Sequence, residues 1–188
     1  MPSRLRQVFL ALCCVPALAA ADEPGQSAAQ QNVVSELRVG VLAHDPDNLW
    51  SGFRRESGVD VSAEIVFYRP GLSILWGELR PNLGVSVNDR GDTSQAYAGA
   101  LWELEGSSGL FFAAGLGASI HDGRLESRSR KDLKELGSRV LIRTAFELGY
   151  SITHRHRLIA TFAHVSNANL ASPNQGLDTV GVRYGFRF

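Results

Sequence analysis

From Leu37 onward the chain switches between apolar and polar side chains with a period of two. Leu37, Val39, Val41 and Ala43 alternate with Glu36, Arg38 and Gly40, and Val59 to Phe67 alternates with Asp60, Ser62 and Glu64. Successive side chains of a strand point to opposite faces, so each such segment predicts a strand with one apolar row and one polar row. The pattern recurs over 79–87, 96–104, 110–120, 140–150, 158–166 and 178–188. Together these segments predict eight antiparallel strands, the smallest number that closes a transmembrane β-barrel. The all-β reading is strengthened by the connections: those at 44–58, 88–94, 121–137 and 167–177 are longer and polar, whereas 105–109 and 153–156 are short. The segment "RPGLSILWGE" near 69–78 fits less well and is expected to hold extra strand or interfacial residues.

A soluble lipocalin-like barrel would alternate too, so periodicity alone does not say which row meets lipid. The polar rows decide it. They mix Glu64, Arg80, Glu103, Arg143, Glu147 and Arg183 with Gly99, Gly115, Gly149 and Gly181. Such a mixture suits a narrow barrel interior, where charges pair and small residues make room, while a solvent-facing sheet is only weakened by glycine. The terminal "YGFRF" resembles the last strand of bacterial outer-membrane proteins, and Trp50, Trp76 and several tyrosines suit interfacial belts.

The N-terminus fits this location. Arg4 and Arg6 precede an apolar run from Val8 to about Leu18, followed by small residues at 17, 19 and 21, the signature of a cleaved export signal over residues 1–21. The barrel domain is then residues 22–188. Removing the signal takes two of the 19 basic residues and none of the 19 acidic ones, a net charge of −2, which gives no nucleic-acid surface. Both cysteines, Cys13 and Cys14, leave with the signal. After the signal, no run longer than Gly109–Ile120 lacks a charged or strongly polar residue, and that run is too short for a membrane helix. The expected location is therefore the bacterial outer membrane, crossed many times by strands, with the longer loops outside.

The seventh strand carries an exception. Within "FAHVSNANLASPNQGLD", His164 and Ser166 share parity with Leu158, Ala160 and Phe162, so they face lipid if those do. Asp178 shares parity with Val180 and Val182 on the next strand, and a turn centred near Ala171 brings residues 176 and 178 opposite Ser166 and His164. Ten residues from Phe188 at ~3.4 Å each, tilted by ~40°, rise roughly 26 Å, which puts Asp178 at the outer interface. A serine hydroxyl needs a neighbouring imidazole to take its proton, and the imidazole needs a carboxylate to fix its tautomer. Ser166, His164 and Asp178 can fill those roles, with Asn167 and Asn174 the nearest oxyanion donors. On parity and composition alone the alternative stays open that strand seven has left the hydrocarbon by residue 164 and that these are rim residues.

The stretch Phe162–Phe188 resembles the C-terminal hairpin of the outer-membrane lipid A 3-O-deacylases of the PagL family, whose pattern is close to H-x-S-N-A-G-L, P-N-x-G, then an acid and a final strand. The rest of the chain resembles that family only in architecture. The resemblance implies a metal-free and cofactor-free esterase in which Ser166 is the nucleophile, His164 the base and Asp178 the third member, with Asn167 and Asn174 supporting the site or its oxyanion hole. It implies hydrolysis of the 3-hydroxyacyl ester at position 3 of lipid A. Two positions depart: Asp178 stands where the family has glutamate, which puts its reach to His164 in question, and Asn169 replaces a glycine.

A site on the outer rim meets what resides in the outer leaflet, chiefly lipopolysaccharide, so lipid A and membrane lipids are the expected partners, with a homodimer left open. Basic residues in "HDGRLESRSRKDLKELGSR" suit lipid phosphates or simply a solvated loop. His154 and His156 lack a third metal ligand, His44 reads as turn chemistry in the first outer loop, and "RGD" at 90–92 reads as chance. The rival to the esterase is a non-enzymatic small barrel that acts as an adhesin or interaction protein through its loops. A phospholipase or acyltransferase is a third reading.

Overall fold

A computed structural model describes residues 33–68, 71–126 and 133–188 of the chain. The expected export signal lies outside them, as do Arg128, Arg130 and Lys131 of the third long loop.

The alternating segments form long strands: β1 (Val34–His44), β2 (Val59–Phe67), β4 (Gly77–Asn88), β5 (Gln95–Glu105), β6 (Leu110–His121), β7 (Val140–Ser151), β8 (His156–Ser166) and β9 (Leu177–Arg187). All neighbours are antiparallel, and pairing of β2 with β4 closes the sheet. The result is an eight-stranded barrel. The expected exception after β2 is a two-residue strand, β3 (Ser73–Ile74), which folds back on Gly77 and Glu78, with Ile74 O accepting the indole N–H of Trp102 at 2.7 Å.

Burial follows parity. Leu37, Val39 and Val41 are exposed on the outside, whereas Glu36 and Arg38, on the opposite face of the strand, are fully buried. The interior is filled by ion pairs. Arg38 reaches Glu147 at 2.7 Å, Glu36 at 2.9 Å, and Glu64 and Glu103 at 3.2 Å. Arg183 bridges Glu64 and Glu147, while Arg80 and Arg157 each bridge Glu36 and Glu103. Each of these charges has at least two opposites within reach, which offsets the cost of taking it out of water. The inward glycines make space for large side chains. A Cβ at Gly149 would lie 2.0 Å from the Phe111 ring, which is itself stacked under the Arg157 guanidinium.

At one end of the barrel two of the three connections are tight, and at the other four long loops interlock over a small core of Leu136, Leu141, Val165 and Leu177. Leu136 N–H and Gly137 N–H donate to Arg124 O and Leu125 O, folding the third loop on itself. That loop then joins the fourth through Gln175 N–H to Glu135 O and Glu135 N–H to Gln175 Oε1. His44 differs from its sequence reading. It ends β1 rather than lying in a loop, and it is buried between Asp60 (2.8 Å) and Glu56 (2.9 Å).

Candidate active site

The β8–β9 register sets the site. His164 pairs directly across from Asp178, which leaves Gly176 opposite Ser166. Cross-strand Cβ atoms lie only ~4.5–5.5 Å apart, so a short carboxylate spans the gap. His164 Nδ1–H donates to Asp178 Oδ1 at 2.7 Å. Because an ionised carboxylate only accepts, this bond places the proton on Nδ1 and leaves Nε2 as the basic nitrogen. The reach questioned on sequence grounds is thus met by Asp178 without the extra methylene.

The histidine and the serine belong to the lipid-facing row. Along β8 the inward set is Arg157, Ile159, Thr161, Ala163 and Val165, all buried. On β7, Ile142 pairs with Ser166 and Thr144 with His164. Ile142 and, one step farther out, Val140 are exposed apolar residues, 42% and 56% accessible. The apolar band therefore continues past the level of Ser166, against the reading of a strand that has already left the hydrocarbon. Asp178 is fully buried and His164 nearly so, while Ser166 is half-buried.

His164 and Ser166 border a cavity of about 680 Å³, walled by Trp50, Ser51 and Phe53 of the first loop, Ile142 and Thr144 of β7, and Ala168, Asn169 and Asn174 of the fourth loop. No hydrogen bond joins the two among the described residues. Catalytic hydrogen bonds are often long before substrate binds and tighten in the reactive complex.

Immediately after Ser166 the chain makes a tight turn, with Leu170 N–H donating to Asn167 O at 3.0 Å. Ala168 and Asn169 have φ of 51° and 62°, the left-handed pair of a type I′ turn. Asparagine tolerates that region, so Asn169 keeps the backbone path a glycine would take. Asn167 works inside the loop: its N–H donates to Asn174 Oδ1 at 3.0 Å, and its Nδ2 donates to Leu136 O and Pro173 O at 3.0 and 2.8 Å. Asn174 Nδ2 donates one hydrogen to Asn169 Oδ1 at 3.0 Å, which leaves its second N–H free to serve the cavity it lines. The backbone N–H groups of Ala168 and Asn169 make no hydrogen bond among the described residues, and both residues line the cavity.

Gly176 has φ +63°, and a Cβ there would lie 2.8 Å from His164 Cε1. Sequence reasoning missed the contribution of the first loop. Ser51 N–H donates to Asp178 Oδ2 at 2.6 Å, and the Trp50 indole stacks on the imidazole with centroids 4.5 Å apart and planes 9° apart. The available signal was the "LW" pair within the otherwise turn-like and polar "DPDNLWSG". Of the loop-three cations proposed for phosphates, Lys134 is buried and Arg139 donates to His121 O and Gly123 O. Both are committed to internal contacts.

The family model for lipid A 3-O-deacylase (PagL) matches residues 57–187. Lipid A deacylase PagL of Bordetella bronchiseptica is 31% identical over 121 residues, which cover 60% of this chain and 65% of that protein. The aligned region thus spans just under two thirds of that curated relative. Among solved structures, the outer membrane enzyme PagL aligns with a TM-score of 0.56 at 16% identity, over 80% of this chain and 99% of that one. The N-terminal β-barrel domain of Pseudomonas aeruginosa OprF aligns with the same TM-score at 10% identity, over 84% and 98%. At these identities the structural likeness is one of fold.

Proposed function

Because this chain belongs to the PagL family of lipid A 3-O-deacylases, we propose that it hydrolyses the ester-linked 3-hydroxyacyl chain at position 3 of lipid A in the outer leaflet of the outer membrane. The observation that carries the reading is the 2.7 Å bond between His164 Nδ1 and Asp178 Oδ1, on the lipid-facing wall and beside Ser166. A soluble substrate would have no reason to be met there, whereas an acyl chain already in the membrane lies alongside Ile142 and Phe146 of the exposed row.

In this mechanism Ser166 gives its proton to His164 Nε2 as its Oγ attacks the ester carbonyl. Asp178 keeps the imidazole in the Nδ1–H tautomer and stabilises the imidazolium that forms. The N–H groups of Ala168 and Asn169 and the free N–H of Asn174 receive the negative charge that develops on the carbonyl oxygen. His164 then protonates the sugar oxygen as the C–O bond breaks, leaving the acyl group on Ser166. Water, deprotonated by His164, releases the 3-hydroxy fatty acid and restores the serine.

The rival role as an adhesin or interaction protein is not favoured by the family match, and it offers no reason for a histidine–carboxylate pair on a lipid-facing wall. The test is lipid A from cells that express either the wild-type chain or Ser166→Ala, compared by mass spectrometry at equal levels of folded barrel. The wild type is expected to remove one 3-hydroxyacyl group and the variant none. Identical lipid A from both strains would overturn the reading.

A further inference from the structure

The first outer loop runs from Asp45 to Gly58, far in sequence from the triad, yet it makes two contacts that bear on triad geometry. Asp178 spends one oxygen on His164 and the other on Ser51 N–H, at 2.7 and 2.6 Å. With a separate partner on each oxygen, the carboxylate cannot rotate without losing one of them. The neighbouring Trp50 covers the flat face of the imidazole, and Gly176 closes in at Cε1. The ring is held by its hydrogen bond at Nδ1, by the indole across its face and by backbone at its edge.

A tip that leaves Trp50 57% exposed would not hold this position unless its base were fixed. It is fixed by a buried knot. Asp45 Oδ2 accepts the N–H groups of Arg55 (2.7 Å) and Glu56 (3.0 Å), and Asp45 N–H donates to Asp178 O at 2.9 Å. Glu56 also accepts Thr93 N–H and hydroxyl from the second loop, each at 3.0 Å, and Lys134 N–H from the third at 2.8 Å. The buried Lys134 ammonium pairs with Asp45 at 3.3 Å, donates to Phe53 O and lies 4.1 Å over the Phe53 ring. Three of the four outer loops therefore converge on the base of the segment that carries Trp50 and Ser51.

We propose that Trp50 and the Ser51 N–H are positioning elements of the hydrolytic site, and that the first loop, clamped by the Asp45–Glu56–Lys134 knot, completes the triad by holding His164 and Asp178 in the orientation that serves Ser166. This rests on the esterase reading above. A flat, rigid aromatic at position 50 and a backbone donor at position 51 are what the arrangement requires. The Ser51 hydroxyl, by contrast, makes no hydrogen bond among the described residues.

The experiment compares Trp50→Ala, Trp50→Phe and Ser51→Pro, which deletes the N–H, with the wild type in detergent micelles. Release of 3-hydroxy fatty acid from purified lipid A gives kcat and KM. The rate at which a fluorophosphonate labels Ser166 gives serine activation without lipid A. For Trp50→Ala, kcat and labelling rate are each expected to fall about 10²-fold with KM within about twofold, the loss typical of a group displaced by about 1 Å. Trp50→Phe is expected to recover most of both, and Ser51→Pro to lose both like Trp50→Ala.

A loss confined to KM would make Trp50 a substrate contact and overturn the proposal. Unchanged kcat and labelling in Trp50→Ala and Ser51→Pro would overturn it as well. If Trp50→Ala does not fold, Trp50→Leu, which keeps bulk without a flat face, is expected to lose what Trp50→Phe retains, and equality of the two would overturn the proposal. Wild-type barrel that labels rapidly at Ser166 yet releases no acid from lipid A would defeat the substrate assignment while leaving the positioning claim to be read from labelling.

Discussion

Gly176→Ala is the smallest change that should disable the site. A methyl at this position would lie 2.8 Å from His164 Cε1 and 3.4 Å from Val165 O. The first contact is short of ordinary van der Waals separation by roughly 0.6 Å, and the close-packed surroundings leave the ring as the part that must yield. Displacing the imidazole by that amount stretches its 2.7 Å bond to Asp178 toward about 3.3 Å, past the useful range for an N–H···O bond. A sub-ångström to ångström misplacement of a catalytic group costs up to about 10² in rate, or about 3 kcal/mol of barrier. The left-handed backbone adds a separate cost of about 1–2 kcal/mol to folding for any residue with a Cβ.

Gly91→Ala separates the two effects. Gly91 has φ +78° in the second loop, and an added Cβ would meet nothing within 4 Å, so it carries the backbone strain without touching the imidazole. Both variants are expected to show similarly lowered unfolding midpoints in urea. Only Gly176→Ala should lose turnover, by about 10–10², in a discontinuous assay of fatty acid released from lipid A micelles. Folded Gly176→Ala barrel with turnover within twofold of wild type would refute the claim that His164 is held by contact at its edge.

Three further outcomes follow from the same geometry. Asp178→Glu is expected to slow turnover by roughly 10–10²-fold, because both oxygens of a fully buried Asp178 are already bonded at 2.6 and 2.7 Å and an added methylene has no room; steady-state rates equal to or above wild type would contradict this. Arg38→Met leaves Glu36, Glu64, Glu103 and Glu147 without their shared cation and should destabilise the barrel by about 3–5 kcal/mol, read from urea unfolding in lipid vesicles. Burial raises the Glu56 carboxyl, but its bonds to His44 and to the N–H groups of Lys134 and Thr93 outweigh burial and hold it below its ordinary value of 4.5. A lowered carboxyl contributes stability that is complete above that ordinary value and is lost as pH falls through the lowered one. Protease sensitivity of the first loop should therefore not rise between neutral pH and about 4.5 and should rise below it, and a rise beginning near pH 6 would contradict the assignment.

The spanning strands were legible because the two faces of each one meet different media, so parity alone sorts Val39 from Arg38 and Phe162 from Thr161. The same parity placed His164, Ser166 and Asp178 on one wall, and the hairpin register followed from it. What parity does not carry is the conformation of loops. The contact between Ser51 and Asp178 joins positions 127 residues apart and leaves no periodic trace. Asn167 looked like an oxyanion donor because it follows Ser166, yet its amide ties the third and fourth loops together, a use decided by where Leu136 and Pro173 arrive. His44 looked like turn chemistry beside Asp45 and Asp47, and its burial depends on Glu56 and Asp60 coming from the next loop and strand. Asn169 is the reverse case, a residue whose tolerance of positive φ preserves a turn that its sequence departure had put in doubt.

The central claim is that Ser166, on the outer wall of the barrel, carries the acyl chain during hydrolysis. Wild-type barrel mixed with lipid A and acid-quenched within the first turnover, then digested and sequenced by mass spectrometry, tests it most directly. The account predicts a single 3-hydroxyacyl group on the peptide bearing Ser166, absent in Ser166→Ala. Hydrolysis that persists in Ser166→Ala, or an acyl group found on another residue, would contradict it.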